Sequence, residues 1–395
     1  MKNILHKAKK AVALTLALTM FCPQVFAAEV QEEEAVVEVT ADELQKNAIP
    51  VMTVEEALAK AIKKSPDLRD LEDSLELLED QEDSLRDSVG SVRIPSYDYK
   101  RWASSYLYSI VSASYKIEQG MKQIKMSKEL QKLILEMTVR TYFQTIVSLE
   151  DTVELLEDAA AMQKTAYEQG RVKYRLGMLS KYNLEQLEIS KLKAEDTVTM
   201  TKAGLEQMYI TFNGLIGENA NDRFEFVYDV TFVPYELPLP METYINSKMK
   251  EDIMIQMQEL AVDAAKFKAN YRSEMDNGQT SDQDKFSWDQ EKRALKTAKE
   301  EKETAIRNAY LQIKSLETEY ASAQADLRKA QADYRVAQVS YQTGAVTKTA
   351  VEGAEMAMTQ AENAVKAVVY EHDLLVYQFE NPSILSSGSG AAAQR

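Results

Sequence analysis

Residues 306–341 read IRNAYLQIKSLETEYASAQADLRKAQADYRVAQVSY, and this stretch decides the fold. Its apolar side chains stand at Ile306, Ala309, Ile313, Leu316, Tyr320, Ala323, Leu327, Ala330, Tyr334, Ala337 and Tyr341, three and four residues apart without a miss. That spacing is the a/d seam of a heptad helix. It turns one stripe toward a partner, while the Lys, Arg, Glu, Asp and Gln between accept water. The stripe stops at Gly344, where Tyr341-Gln342-Thr343-Gly344-Ala345-Val346-Thr347 predicts a helix end and a turn. A new stripe follows at Val351, Ala354, Met358, Ala361, Val365, Val368 and Leu375. The pattern is a long antiparallel helical hairpin with Gly344 at its tip.

The same hairpin occurs 167 positions earlier, as Val139, Tyr142, Ile146, Leu149, Val153, Leu156 and Ala160, continuing to Tyr167 and Tyr174. Gln163 and Gly170 are the only breaks. Its returning stripe runs Leu184, Leu187, Ala194, Val198, Leu205, Met208 and Phe212. Identities align without gaps: Arg140 with Arg307, Ser148-Leu149-Glu150 with Ser315-Leu316-Glu317, Tyr174 with Tyr341, Gly177 with Gly344, Lys181 with Lys348, Glu185 with Glu352, Glu188 with Glu355. Two unrelated coiled coils can share heptads. A shared Gly in the same phase, flanked by matched Tyr, Lys and Glu, marks a duplicated unit.

The rest of the chain arranges itself around the two hairpins. Residues 1–28 have the form of a secretory signal: Lys2, Lys7, Lys9 and Lys10, an apolar run from Ala11 to Phe21, and Val25-Phe26-Ala27 as cleavage site. Residues 29–50 are an acidic leader, expected to be flexible. Residues 51–217 form repeat one. It opens at Thr53-Val54-Glu55-Glu56 with a capping-box pattern, and Ser65-Pro66 predicts a break. After a turn over Gly90–Pro95, helix resumes near Tyr99 and runs to Tyr174. That is about 76 residues, roughly 115 Å at 1.5 Å per residue. Such a helix needs neighbours for most of its length. Gly214 and Gly217 end the returning helix, and Phe224–Phe232 alternates with period two, the best strand candidate in the chain. Residues 218–240 are a linker marked by Pro234, Pro238 and Pro240. Residues 241–381 form repeat two, with a helix expected over 242–272. The Ser/Gly/Ala-rich residues 382–395 form a tail expected to be disordered.

Composition narrows the function. The net charge is −16, and losing the four Lys of the signal, which holds no acid, takes the remainder to −20. Nucleic-acid binding wants the opposite sign. An acidic surface serves solubility; an acidic lumen would favour cations, and charge alone does not choose. Cys22, inside the signal, is the only cysteine, so the rest of the chain has no disulfide, no Cys metal site and no Cys nucleophile. Beyond the signal no apolar run has transmembrane length. His6 falls in the signal, and His372 sits on the apolar phase of its helix, the place of a core histidine. The seam tyrosines read as packing residues. No catalytic constellation, phosphate loop or metal spacing occurs, so no enzyme, cofactor or metal is expected.

The opening Val54-Glu55-Glu56-Ala57-Leu58-Ala59-Lys60-Ala61-Ile62-Lys63-Lys64-Ser65-Pro66-Asp67-Leu68 resembles the first helix of TolC-like outer-membrane efflux proteins. Both tips, Tyr174–Ser180 and Tyr341–Thr347, resemble that family's aromatic-x-x-Gly-x-Leu/Val-Ser/Thr turn, and the resemblance covers residues 51–380. It implies a mainly all-α chain, two tandem repeats of long helical hairpins forming one protomer of a trimeric α-barrel. It further implies a passive export duct in the cell envelope, fed by an inner-membrane pump through an extracytoplasmic adaptor. By position, Gly177, Leu179, Ser180, Gly344, Val346 and Thr347 would dock the adaptor.

Two departures go with the resemblance. The family inserts two strands between the early helices of each repeat to build a barrel through the outer membrane. Gly90–Tyr99 and Asn277–Phe286 are too short and polar for two strands of ~9–11 residues each. Little or no β-barrel is therefore expected, and an outer-membrane location gives way to the cell-wall side if the source has one membrane. The family's acidic ring at the entrance falls on Asn183, Ala350 and Gly353, none acidic, with Glu185 and Glu352 as the nearest carboxylates to line an aperture. The alternative is a secreted or envelope helical scaffold or adaptor that kept the hairpins without the channel.

Overall fold

The computed structural model describes residues 49–90, 99–270 and 280–385. In order they are β1 (Val51–Met52), α1 (Val54–Lys64), α2 (Pro66–Gly90), α3 (Tyr99–Arg175), α4 (Lys181–Ile216), β2 (Glu225–Phe226), α5 (Met241–Glu251), α6 (Ile253–Asn270), α7 (Thr280–Gln342), α8 (Lys348–Glu380) and a 3-10 turn (Pro382–Ile384). Helix α3 is continuous over 77 residues and runs through the two breaks in its stripe at Gln163 and Gly170. Toward the tips the helices lie in the order α4–α3–α8–α7. Ion pairs from Lys366 to Asp151 (2.6 Å) and from Arg140 to Asp373 (3.7 Å) tie the repeats together across α3 and α8. Away from the tips α2 packs on α3 and α6 on α7, giving the order α2–α3–α6–α7. The fold is thus all-helical in substance, two tandem hairpin repeats side by side.

Each repeat starts on a capped break. The Glu56 amide donates to Thr53 Oγ1 (3.3 Å), and the Leu68 amide to Ser65 Oγ (3.3 Å), just where Pro66 starts α2. In repeat two the single helix expected over 242–272 is divided at Asp252, whose Oδ1 accepts the Ile255 amide (3.0 Å). No proline marks this break, and the apolar pattern runs through it. What stabilises it is tertiary: Asp252 is fully buried, with Lys302 Nζ 3.2 Å from its Oδ2.

The two cores sit where the short helices meet the hairpins. One gathers Val139, Phe143 and Ile146 of α3 with Phe212 of α4 and Ala57 and Ala61 of α1. The other gathers Ile306, Ala309 and Ile313 of α7 with Phe379 of α8 and Tyr244 of α5. Phe212 and Phe379, 167 residues apart, are both fully buried; each such side chain contributes about 1.5–3 kcal/mol of burial. The stripe of α7 is buried from Ile306 to Leu316, half-buried from Tyr320 to Ala337 and exposed at Tyr341. In the tip half the four helices lie side by side in a single layer, so a seam residue is covered from one side only. Gly170, a break in the stripe of α3, is a hole: an added Cβ would lie 2.4 Å from Leu187 Cδ1.

The linker is not the strand expected over Phe224–Phe232. Only Glu225–Phe226 pairs, in parallel with Val51–Met52. The alternation instead lays aromatics on helices: Phe226 meets Phe143 edge-on (4.8 Å), Tyr228 donates to Asp373 Oδ2 (2.9 Å), and Phe232 stacks on Tyr320 (3.7 Å). Gly217, with φ 80°, ends α4, whereas Gly214 lies inside the helix. Residues 382–385, expected in the tail, are ordered: Lys302 donates to the carbonyls of Pro382 (2.7 Å) and Leu385 (3.2 Å). The signal, the leader to residue 48, the tail from residue 386, residues 91–98 of the first site considered for barrel strands and residues 277–279 of the second lie outside the described residues; the rest of the second site, 280–286, is the start of helix α7. Only eight and nine residues separate α2 from α3 and α6 from α7; two membrane strands need ~18–22. Among the described residues no helix is long and apolar enough to cross a membrane.

Candidate functional site

The tips are built alike from the backbone up. Gly177 (φ 72°) and Gly344 (φ 75°) both take the left-handed conformation, with nothing within 4 Å of an added Cβ, so glycine is needed for backbone shape. The Met178 amide donates to the Lys173 carbonyl and the Ala345 amide to that of Ser340, both at 2.8 Å. These close the last turns of α3 and α7 in Schellman fashion. Ser180 Oγ accepts the Asn183 amide (3.2 Å) to start α4; Thr347 stands at the same place before α8 without a side-chain cap bond.

Of the residues proposed for docking, Gly177, Ser180, Gly344 and Thr347 are exposed, and Leu179 and Val346 are half-buried against their own hairpins. Three further side chains stand out at the first tip. Leu176, Met178 and Tyr182 are 67, 73 and 67% exposed. Their counterparts in repeat two are Thr343, Ala345 and Thr349, so the large exposed apolar side chains of the first tip have no equivalent at these positions of the second. Mapping the repeats onto each other would have revealed it. The candidate aperture positions Asn183 and Ala350 are exposed, as is Glu185, while Glu352 is partly so. Glu185 pairs with Lys181 (3.6 Å) and Glu352 with Lys348 (2.9 Å), one turn earlier on each helix. The hydrogen bond to Glu352 pushes the Lys348 ammonium up. Each carboxylate at these tips thus carries its own counter-charge.

A second feature lies along the flanks. Helix α7 bears another stripe at the same three-four spacing: Leu311, Ser315, Thr318, Ser322, Ala325, Lys329, Ala332, Val336 and Val339. All nine are exposed, Leu311 by 65%, Val336 by 65% and Val339 by 60%, and Lys329 is the only charge. At the opposite flank, α4 exposes Ile189, Leu192, Met200 and Ile210. Measured in residues from the tip glycines, Ala332 and Ile189 each stand 12 away and Leu311 and Ile210 each 33 away. Hydrophobic periodicity picks out only the stronger seam; the second shows as a depletion of charge.

The core reading of His372 agrees with its surroundings. It is 5% exposed, its ring 4.9 Å from Phe232 and its Nε2 3.9 Å from Glu317 Oε1. Burial holds its pKa below the usual value against the opposing charge of Glu317. Among the described residues no cluster of three metal-binding side chains occurs.

The architecture is similar to that of solved bacterial channels. The Campylobacter jejuni CmeC outer membrane channel matches with TM-score 0.59 and 16% identity, over 85% of this chain and 86% of that one. The Vibrio cholerae outer membrane protein VceC matches with TM-score 0.57 and 10% identity, over 83% and 96%. The open-state Neisseria gonorrhoeae MtrE outer membrane channel gives 0.54 and 13%, over 84% and 88%. No protein-family model matches the chain, and no curated protein matches it either. The chain therefore has the TolC-like channel fold in a divergent form.

Proposed function

We propose that three copies close into a hollow helical tube in the cell envelope. The tube is a passive export conduit, not an enzyme, and receives its cargo from an inner-membrane pump through an adaptor at the hairpin tips. The observation that carries this is the pair of unpartnered flanks. One copy ends in an exposed, nearly uncharged stripe on α7 and in exposed Ile189, Leu192 and Ile210 on α4. Such flanks differ from each other, so copies join head to tail and the rotation must close into a ring. The similar solved channels support the conduit. The docking residues would be Gly177, Leu179, Ser180, Gly344, Val346 and Thr347, with the apolar Leu176, Met178 and Tyr182 adding to the first tip, and Asn183, Glu185, Ala350 and Glu352 near the aperture. The short intervals between α2 and α3 and between α6 and α7 favour a tube that does not rely on membrane strands.

Light scattering on the protein with and without detergent tests this. A trimer without detergent is the expected result. A trimer only in detergent would point to an outer-membrane barrel. A monomer in both would favour a helical scaffold without a channel.

A further inference from the structure

Helices α7 and α8 enclose a groove of about 400 Å³ on the face turned away from the linker. Linker residues 230–236 lie over Val369, His372, Asp373 and Val376 of α8. The groove is lined instead by Glu371, Leu374, Leu375 and Gln378, which stand on the opposite side of the same helix. From α7 come Gln312, Ser315 and Leu316. Its floor is apolar, with Leu316 buried and Leu374 and Leu375 half-buried. Its rim is two amides, one hydroxyl and one carboxylate, and no Lys or Arg is among the lining residues. Within the described residues these four polar side chains have no hydrogen-bond or ion-pair partner. The carboxylates under the linker differ: Glu317 takes Lys314 (2.8 Å) and Asp373 takes Tyr228 (2.9 Å).

Repeat one lacks this chemistry at the matching place. The positions 167 earlier hold Thr145 and Thr211 for the two Gln, Gln207 for Leu374 and Gly204 for Glu371. Packing does not demand that glycine, since an added Cβ at Gly204 would have nothing within 4 Å. The carboxylate of Glu371 likewise fills no core and caps no helix. One heptad from Gln312, on the same face of α7, stands the exposed Glu319. Counted from Gly344, Glu319 is 25 residues away and Glu371 is 27, so two carboxylates stand at nearly one level. Repeat one has Thr152 and Gly204 there.

We infer that this groove is a binding site for an organic cation with an apolar body. A concave surface with an apolar floor and a few converging polar groups is the usual form of a small-molecule site. The leucines take the apolar part, Glu371 takes the charge, and Gln312, Ser315 and Gln378 offer hydrogen bonds to its substituents. An anion would meet two carboxylates and no counter-charge. A hydrated inorganic cation would leave the leucines unused. That the groove faces the bore rests on the ring proposed above: the linker gathers with α1 and α5 in the two cores, on the other face. The site then names a class of cargo for the conduit.

Equilibrium dialysis of the full chain against tetraphenylphosphonium tests this, with the isosteric anion tetraphenylborate as control. The cation is expected to be retained and the anion not. Glu371→Gln, which removes the charge and keeps the size, should weaken retention about fivefold, the worth of an ion pair still open to water. Leu374→Gln, which copies repeat one, should weaken it as well. Glu362→Gln makes the same charge change two and a half turns away on the other side of α8 and should leave retention unchanged. Circular dichroism checks that each variant keeps its helices. No retention of the cation, or equal retention of both ions, overturns the site. So do equal losses from Glu371→Gln and Glu362→Gln, which would assign binding to the general field of a chain of net charge −16. The groove lies within one copy, so dialysis reads it whether or not the ring forms, and light scattering on the same samples reads the ring.

Discussion

Lys302 Nζ lies 3.2 Å from Asp252 Oδ2 at a point where both side chains are almost wholly out of water. In repeat one Leu135, 167 residues before Lys302, is buried, and so is Ser65, which like Asp252 follows the 11-residue helix that opens its repeat. Repeat one thus has an apolar side chain and a hydroxyl where repeat two has an ion pair. It caps α6 and, through Lys302, holds the carbonyls of Pro382 and Leu385. Removing one partner of such a pair costs more than removing both, because a lone buried charge remains. Lys302→Leu should lower stability by about 3–5 kcal/mol and release residues 382–385 to proteolysis. The double variant Lys302→Leu with Asp252→Ser, which copies repeat one, should recover much of the loss. Urea midpoints of the three proteins check this; an equal loss in single and double variants would assign the cost to packing.

The seam of α7 should weaken from core to tip. Leu316 is buried and Leu327 is not, although both lie on the same stripe. Leu316→Ala should therefore cost ~2–5 kcal/mol, and Leu327→Ala distinctly less. Urea melts decide. Equal losses would mean that another copy covers Leu327 in solution.

Much of this architecture was legible in the sequence because one period dominates it. The stripe from Ile306, its copy from Val139, the break at Pro66 and the turns at Gly177 and Gly344 follow from spacing and from two residue types with strong backbone preferences. The break at Asp252 was not legible, since it depends on Lys302, fifty residues away. Phe224–Phe232 has a strand's alternation because an extended chain laid over helices also buries every second residue. At the tips, the turn geometry could be read, but the apolar character of Leu176, Met178 and Tyr182 needed exposure to give it meaning. The second stripe of α7 was masked by the stronger first one.

The tip turns should be sensitive to side chains that resist positive φ. A Cβ added at Gly177 or Gly344 has nothing within 4 Å, so the first cost of a side chain there is backbone strain, about 1–2 kcal/mol for a left-handed residue. Gly177→Val should speed hydrogen exchange at the Met178 amide, which bonds to Lys173, and leave overall helicity unchanged. Unaltered exchange would show that the turn tolerates the side chain. The protected amide of Ala345 in the other tip serves as the internal standard.

Acid should loosen the joint around His372. Its ring is enclosed by Phe232, with Glu317 and Lys314 from α7 and Asp373 beside it on α8. Burial lowers its pKa in the folded protein, so the unfolded chain takes up the proton first as pH falls. The stabilising share of neutral His372 is complete above about pH 6.5 and is lost between there and its lower folded value. Repeat one has Leu205 at the matching position, which makes His372→Leu the natural replacement. Urea midpoints of the unaltered protein should fall between pH 7.5 and 5.5 by more than those of His372→Leu. Carboxylates remote from His372 contribute alike to both and cancel in the comparison; Glu317, 3.9 Å from its Nε2, is coupled to it and stays in the difference. Parallel declines would mean that His372 gains its proton in the folded chain as readily as in the unfolded one, with Glu317 and Asp373 offsetting its burial.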